Sequence, residues 1–433
     1  MFTSRILSLA SVLVATAVSA LAAPTLKPGT NVIERQFNGT LAKRDTGFDY
    51  GGTDIRGVNL GGWLLLEPFI TPWMFENLDG SIVDEYTFCQ NQDRGAAANA
   101  LQNHWDTWIT EDDFRQIRDA GLNHVRVPIG YWAFDVSGDE PYIQGAKDYL
   151  YRAINWARQY GIKVIIDLHG APGSQNGFDN SGRRGSANWA DDQRNIDRTR
   201  GVVRSLAGEF SDGQYYGVVT AIAVLNEPAG FISPNLLNAA RQFNIDAYYD
   251  VRESGGLLVV YHDAFQEPSF WNGAFDYPQT SDVMLDHHYY SVFSDAEVRR
   301  SWGDHLNAAC SYGNTLATAP NWAVIGEWTL AAYDCARWLN GRGIGARYDG
   351  TYPGSSQVGV CYPFTGDGSA FSDEYKTFLR DFWDTQTQTY ENRGHGWIFW
   401  TWKAAPAEWS YQAGLNGGWI PRNPSEHRGY KCS

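Results

Sequence analysis

Residues 45–433 of this chain are expected to fold as one α/β unit, a (β/α)8 barrel, and three observations lead there. Short β-rich runs alternate with helical segments from residue 55 to residue 402. The runs number eight, which is the strand count that closes such a barrel. Charged and polar residues collect where the runs end, and the chemistry of a barrel sits at the carboxyl ends of its strands.

The eight runs fall at 55–60, 124–129, 163–169, 218–227, 257–262, 283–290, 322–327 and 397–402. Between them, Thr110 and Asp113 open a helix over 111–120 as a capping box with Asp in place of Glu, and Gly121 stops it. A second helix over 147–160 carries Tyr149, Ala153, Trp156 and Ala157 at helical spacing before Gly161. An open, doubly wound sheet would keep the same alternation and often carries a Gly-x-Gly-x-x-Gly turn. The corresponding stretch, Gly57-Val58-Asn59-Leu60-Gly61-Gly62, lacks that pattern. Loops are long after strands one, three, six and seven, and such loops in a compact domain are usually functional. The stretch 341–372, rich in Gly, Ser, Pro and Tyr, reads as an ordered insertion.

The first 44 residues read as processing signals. Arg5, an apolar run over 6–18 and Ala20-Leu21-Ala22 form a signal peptide over 1–23. Residues 24–44 form a propeptide ending at the dibasic pair Lys43-Arg44, and it holds the one sequon, Asn38-Gly39-Thr40. The mature protein is therefore expected to be secreted, extracellular or wall-associated, and monomeric. No later stretch reaches 18 uninterrupted apolar residues, so no membrane span is expected. The formal charge is −15, and loss of residues 1–44 removes five basic residues against one acidic one. That balance argues against nucleic acid as a partner and suits a neutral substrate.

Five cysteines without a Cys-x-x-Cys spacing in an exported chain favour disulfides over zinc. Cys432 is expected to staple the tail to the body through Cys310, leaving Cys335 with Cys361 and Cys89 over, although spacing alone does not determine connectivity.

Glu227 and Glu327 close the apolar runs Ala223-Val224-Leu225-Asn226-Glu227 and Ala323-Val324-Ile325-Gly326-Glu327. Two carboxyl groups facing each other across a barrel mouth can break a glycosidic bond, one donating a proton and the other attacking or stabilising the anomeric carbon. The two need opposite protonation states, which like-charge repulsion and a nearby guanidinium can supply. Arg126, a charge inside His124-Val125-Arg126-Val127-Pro128, must be paired. His169 ends the third run, and His287-His288-Tyr289-Tyr290 the sixth. By strand alternation His288 and Tyr290 share a face, as do Trp400 and Trp402. Histidine spacings typical of a metal site, such as His-Glu-x-x-His, are absent, so no metal and no cofactor is expected. The 18 Trp, 24 Tyr and 21 Phe supply flat faces for pyranose rings. Most of them must serve the core, and Trp73, Phe178, Trp189, Phe293 and Trp400, at strand ends or in long loops, are the candidates for a sugar.

From about Ile55 to the C-terminus the chain resembles the fungal exo-β-1,3-glucanases of glycoside hydrolase family five. The resemblance rests on Arg56-Gly57-Val58-Asn59-Leu60-Gly61-Gly62-Trp63 with Leu66-Glu67-Pro68, on Leu168-His169-Gly170-Ala171-Pro172-Gly173 and on Leu225-Asn226-Glu227-Pro228. His287-His288-Tyr289-Tyr290, Ile325-Gly326-Glu327-Trp328 and Phe399-Trp400-Thr401-Trp402-Lys403 continue it in order. It implies that Glu227 is the acid/base and Glu327 the nucleophile of a retaining double displacement on β-1,3-glucan. It also implies that Arg126 keeps Glu327 ionised and Tyr290 hydrogen-bonds it, that Asn226 holds the 2-hydroxyl, and that His169 and His288 orient the sugar and the acid/base. Glu67 would grip outer hydroxyls, Phe178 and Phe293 would clamp the next unit at the entrance, and Trp400, or its face-mate Trp402, would floor the reacting glucose. Loops would close one end of the cleft into a pocket, so that only a chain end enters. A β-1,6-glucanase or an endo-acting β-1,3-glucanase on the same barrel remains the alternative, and a binder that has lost catalysis is disfavoured because both glutamates are present.

Overall fold

The computed structural model describes residues 45–276, 279–429 and 432, all within the compact unit Asn38–Ser433. The expected signal peptide, the expected propeptide with Lys43-Arg44 and the Asn38 sequon lie outside the described residues. Eight parallel strands close a barrel in sequence order: β1 (Ile55–Asn59), β2 (His124–Gly130), β3 (Lys163–Gly170), β4 (Val219–Ala223), β5 (Leu258–His262), β6 (Val283–Tyr289), β7 (Trp322–Trp328) and β8 (Gly396–Phe399). The last strand pairs back onto the first, Ile55 opposite Gly396 and Val58 opposite Phe399. The expected barrel is therefore present, with each strand at its expected place. Two runs end early: β4 stops at Ala223, four residues short of Glu227, and β8 stops at Phe399, before Trp400.

Nine helices pack outside among the described residues: α1 (Glu85–Gln90), α2 (Arg94–Thr107), α3 (Glu111–Asp119), α4 (Ala146–Tyr160), α5 (Gln193–Phe210), α6 (Pro234–Ser254), α7 (Trp302–Leu316), α8 (Asp373–Arg393) and α9 (Tyr411–Gly417). The Thr110/Asp113 capping box opens α3, and α4 ends on Gly161 at φ +72°, a left-handed turn that glycine adopts at least cost.

Strand alternation divides the side chains into two cores. On β3, Val164, Ile166 and Leu168 point outward into the large core beneath the helices, while Ile165 joins Ile55, Ala221, Leu258, Met284, Val324 and Ile398 inside the barrel. That inner layer is closed at the amino end by the segment entering β1. Tyr50 is buried there, its hydroxyl 2.6 Å from Thr220 Oγ1 and 3.1 Å from His124 Nε2. The residues that come next inward along the strands are Asn59, Arg126, Asp167 and Asp286, so the interior turns from apolar to charged toward the carboxyl end. Burial of such charges is tolerable only when they meet each other.

Disulfides join Cys310 to Cys432 and Cys335 to Cys361, the expected pairing, and Cys89 is a buried free thiol. The insertion 341–372 has little regular structure yet is held in place. Asp334, beside Cys335, accepts the backbone N–H groups of Arg347 and Tyr348 and pairs with the Arg347 guanidinium at 3.2 Å. No helix among the described residues is long and apolar enough to cross a membrane.

Candidate active site

Arg126, midway along β2, is the hub of the mouth. Its Nη1 donates to Glu327 Oε1 at 2.8 Å and to Asn59 Oδ1 at 2.9 Å, and its Nη2 donates to Asn226 Oδ1 at 2.7 Å. The same Nη2 lies 3.2 Å from Asp167 and 3.8 Å from Asp286. Burial alone would make the guanidinium easier to discharge, but Asp167, Glu327 and Asp286 outweigh it and hold the charge more firmly than usual. The planar fork explains the choice of Arg over Lys, since several acceptors are bound at fixed angles.

The fork also orients Asn226. With its Oδ1 on Arg126, the amide turns Nδ2 toward His169 Nε2 at 3.3 Å, while His169 Nδ1 donates to Asp167 Oδ2 at 2.6 Å. The chain Asp167–His169–Asn226 therefore has one consistent set of donors. Trp400 stacks on His169 with centroids 5.5 Å apart and planes 11° from parallel, and it is buried beside Phe69, Ile70, Val292 and Trp409.

The expected face-sharing of Trp400 and Trp402 fails. Because β8 ends at Phe399, alternation does not carry past it, and Trp402 turns into the outer core to donate from Nε1 to Asp113. Of the two, Trp400 is the one at the mouth. On β6 the alternation holds. His288 and Tyr290 face the glutamates, while His287 pairs with Asp263 and Tyr289 packs on Tyr312.

Glu327 is reached by a local irregularity. The register of β6 on β7 shifts between His287, opposite Ile325, and His288, opposite Glu327, so Gly326 is a bulged residue. A side chain on Gly326 would start 2.0 Å from Asp286 Oδ1, and the Gly326 carbonyl accepts from Asn59 Nδ2 at 2.9 Å. The bulge turns Glu327 to face the mouth, where Oε1 takes Arg126 and Oε2 takes the Tyr290 hydroxyl at 2.8 Å. Glu227 is presented differently. Four residues beyond β4, it stands at φ +45° after Asn226, whose backbone N–H is still held by Leu168. A non-glycine residue in that region is uncommon and points to a functional constraint. Its Oε1 accepts from His288 Nδ1 at 2.8 Å and its Oε2 from Asn180 Nδ2 at 2.9 Å.

His288 thus lies between the two glutamates, 2.8 Å from Glu227 Oε1 and 3.4 Å from Glu327 Oε2. Those two distances together cap the separation of the two oxygens at 6.2 Å. Burial works against a charge on His288, but Glu327, Asp286 and Glu227 more than reverse it and raise the imidazole well above its ordinary value. Burial pushes Glu227 up, while the hydrogen bond and charge of His288, with His262 and Asn180, bring it down to about 2. Burial also lifts Glu327 above its ordinary value, and His288 and Arg126 offset that only in part. His288 Nδ1 therefore donates to a Glu227 carboxyl that is favoured in its ionised form.

Around this centre, Glu67 is buried and accepts the Gly62 N–H at 3.3 Å. Burial, then Asp179 and Glu327, lift its carboxyl well above the usual range. Phe178 and Phe293 are 37% and 41% exposed, which leaves their rings free for a ligand, and Phe293 packs edge-on against Tyr290 at 5.5 Å. Of the other two aromatics considered for a sugar, Trp189 is fully buried against Phe243 and Trp73 packs on Trp108. Seven of the residues singled out from the sequence, Arg126, His169, Asn226, Glu227, His288, Tyr290 and Glu327, form one network of hydrogen bonds and ion pairs.

Sequence reasoning missed Asn59, Asp167, Asn180, Asp179, His262 and Asp286. Asp179 follows Phe178 and is lifted to about 7, chiefly by burial. Asp167 and Asp286 are charges within apolar strands, the same signal that singled out Arg126. Glu227, His262 and His288 offer ligand atoms within 4.8 Å of one another, a donor set suited to zinc. A cation there would displace the His288–Glu227 hydrogen bond.

Comparison with known proteins decides the family. Residues 89–335 match the model of the cellulase family, glycosyl hydrolase family 5. A glucan 1,3-beta-glucosidase of Blumeria graminis is 45% identical over 391 residues, covering 88% of this chain and 90% of that one. The chain belongs to glycosyl hydrolase family 5. A second member of that name, from Candida oleophila, is 40% identical over 428 residues, 95% of this family 5 chain and 96% of its own. The rutinosidase of Aspergillus niger superposes with a TM-score of 0.69 at 18% identity over 87% of this chain and 99% of its own, a likeness of fold. This family 5 protein is a glycoside hydrolase.

Proposed function

We propose that this glycoside hydrolase is a secreted, retaining exo-β-1,3-glucanase that releases glucose from the non-reducing ends of β-1,3-glucan. The substrate class comes from the glucan 1,3-beta-glucosidases to which the chain is 40–45% identical over about nine-tenths of its length. The observation that carries the retaining reading is the 6.2 Å ceiling between the facing oxygens of Glu227 and Glu327, set by their distances to His288. Inverting pairs stand about 6.5–9.5 Å apart to admit a water, and retaining pairs about 5–5.5 Å.

In the first half-reaction Glu327 Oε attacks the anomeric carbon while the glycosidic oxygen takes a proton from Glu227. Glu327 needs to be ionised, and donors on both of its oxygens favour that form. Glu227 obtains its proton from His288 across the 2.8 Å hydrogen bond. Sugar binding drives this transfer, because excluding water makes a buried ion pair costlier than its neutral form. In the second half-reaction Glu227 takes a proton from water, which opens the glycosyl–Glu327 ester, and the proton returns to the pair. Another sugar in place of water gives transglycosylation. Asn226, Glu67, His169 and Trp400 hold the reacting glucose, and Phe178 and Phe293 hold the unit that leaves. Secretion is supported by the apolar leader, the dibasic pair and two disulfides, which persist in oxidising compartments.

The test is a proton NMR time course on a linear β-1,3-glucan oligosaccharide, read before mutarotation. β-Glucose as the earliest product, with substrate shortened one unit at a time, supports the reading. Early α-glucose refutes retention, larger fragments refute exo action, and turnover only on a β-1,6-linked oligosaccharide refutes the linkage.

A further inference from the structure

His262, the last residue of β5, takes no part in the network described above, yet three features prepare it for one. Its Nδ1 accepts the N–H of Ala264 at 3.0 Å, so the ring proton is on Nε2. Burial and the His288 charge lower its pKa to about 4, so the ring stays neutral. Nε2 is buried and has no hydrogen-bond partner among the described residues. A ring nitrogen of His262 nevertheless stands within 4.8 Å of Glu227 and His288, and the two imidazoles meet edge to face with centroids 4.4 Å apart.

The turn that holds it is a demanding one. Ala264 and Phe265 stand at φ +55° and +59°, a region that residues with side chains enter rarely. Asp263 fixes that turn by accepting the Phe265 N–H at 2.8 Å and pairing with His287. Its effect is to commit Nδ1 to the backbone and leave the ring's one N–H, at Nε2, without a protein partner. An unpaired donor in a dry site is costly unless something in the reaction meets it.

We infer that His262 is a positioning residue for the acid/base, its Nε2–H donating to the Glu227 carboxylate once the glycosidic oxygen has taken the proton. The inference rests on the acid/base reading of Glu227. Before the bond breaks, His288 Nδ1–H holds that carboxylate. When the proton has passed from His288 to Glu227 and on to the leaving oxygen, His288 Nδ1 no longer donates, and Glu227 is an anion holding only the Asn180 amide. Glu327, by then an ester, offers no donor, and Asp286 is favoured as a carboxylate by His288 and Arg126. His262 is the neighbour whose N–H is never spent, so it replaces the donor that His288 gives up. No bond to hydrogen is broken at His262.

The experiment compares kcat/KM of His262→Phe, His262→Gln and Glu227→Gln on a β-1,3-linked glucotriose and on 2,4-dinitrophenyl β-glucoside, whose leaving group needs no proton. His262→Phe should lose about 10- to 100-fold on the triose, the worth of a hydrogen bond to a charged group, and less than about threefold on the aryl glucoside. His262→Gln should restore most of the triose rate through its amide N–H. Equal losses on both substrates, no loss on either, or no recovery with Gln overturns the inference. Glu227→Gln serves as the reference. If it loses both substrates equally, the acid/base reading itself falls, and the role of His262 falls with it. In the wild-type enzyme trapped with a 2-deoxy-2-fluoroglucosyl fluoride, the His262 Nε2–H resonance should move downfield and resist exchange. An unmoved resonance overturns the inference without any variant.

Discussion

Replacing Arg126 tests the centre of the site, because one side chain there is asked to do both structural and electrostatic work. Arg126→Lys keeps the charge but gives up the fork. Three hydrogen bonds to Glu327, Asn59 and Asn226 converge on the guanidinium. One ammonium nitrogen reaches fewer of them and leaves at least one buried amide oxygen unsatisfied, at about 2–4 kcal/mol in all. Spread over roughly 390 residues, at about 2.1 cal/mol/K of unfolding entropy per residue, that lowers Tm by about 2–5 °C. Arg126→Met goes further. It strands Asp167, Asp286 and Glu327 together in the barrel, and removing one partner of a buried ion pair costs about 3–5 kcal/mol. The catalytic signature has a definite sign. With Glu327 as the proposed nucleophile, activity requires its ionised form, which Arg126 favours, so loss of Arg126 raises the Glu327 pKa and moves the acid limb of the kcat/KM profile to higher pH. A charge at this distance is worth about 1–3 units. The assays are differential scanning calorimetry and kcat/KM against pH on an aryl glucoside. A Met variant that melts and titrates like the parent would refute the account of Arg126 as the counter-charge of the site.

Three other outcomes are expected. Glu408, raised to about 8 by burial that the Thr365 hydroxyl only partly offsets, holds its proton in the native state while the unfolded carboxyl loses it near 4.5. Its stabilising contribution is thus complete below about 4.5 and is lost as pH rises toward 8, up to about 5 kcal/mol, so the Tm advantage of Glu408→Gln should grow from pH 4 to pH 8 and then level off. A constant gap would show that the group does not titrate there. Cys432→Ser opens a loop of 122 residues and should cost about 4–5 kcal/mol, seen as a lower Tm without reductant, whereas an unchanged Tm would mean that the tail is held by packing alone. Phe178→Ala or Phe293→Ala should raise KM for a β-1,3-glucotriose about 2- to 10-fold and leave an aryl glucoside nearly untouched, and equal effects on both would place the rings elsewhere than against the leaving unit.

The strands were legible because parallel strands covered on both faces run apolar almost without interruption, and a charge or imidazole at the end of such a run stands out. Glu327, His169 and the alternating pair His288 and Tyr290 were readable in that way. Glu227 was readable as a residue but not in its placement, because β4 stops four residues before it and the peptide turns at φ +45°, which no alternation predicts. The same early ending of β8 undid the pairing of Trp400 with Trp402. Asp167 and Asp286 carry meaning only once the barrel closes and brings three strands to one guanidinium. Asn180 and Asp179 come from a loop without a period to read. His262 ends a run just as His169 does, but its role depends on a backbone turn that only the folded chain displays.

Gly326 sets a limit on how this enzyme can vary. Any side chain placed there would begin inside the Asp286 carboxylate, 2.0 Å from its oxygen, a group that also neighbours Arg126 and His288. The residue before Glu327 is thus chosen by what lies beneath it in the barrel, and the sugar has no say in it. A library randomised at 326 alone should return only glycine, and one randomised at 286 alone gains nothing, because the bulge that aims Glu327 needs both positions to move together. Changes of substrate are therefore reached through the loops around Phe178 and Phe293, while the strands under the glutamates stay closed to stepwise search.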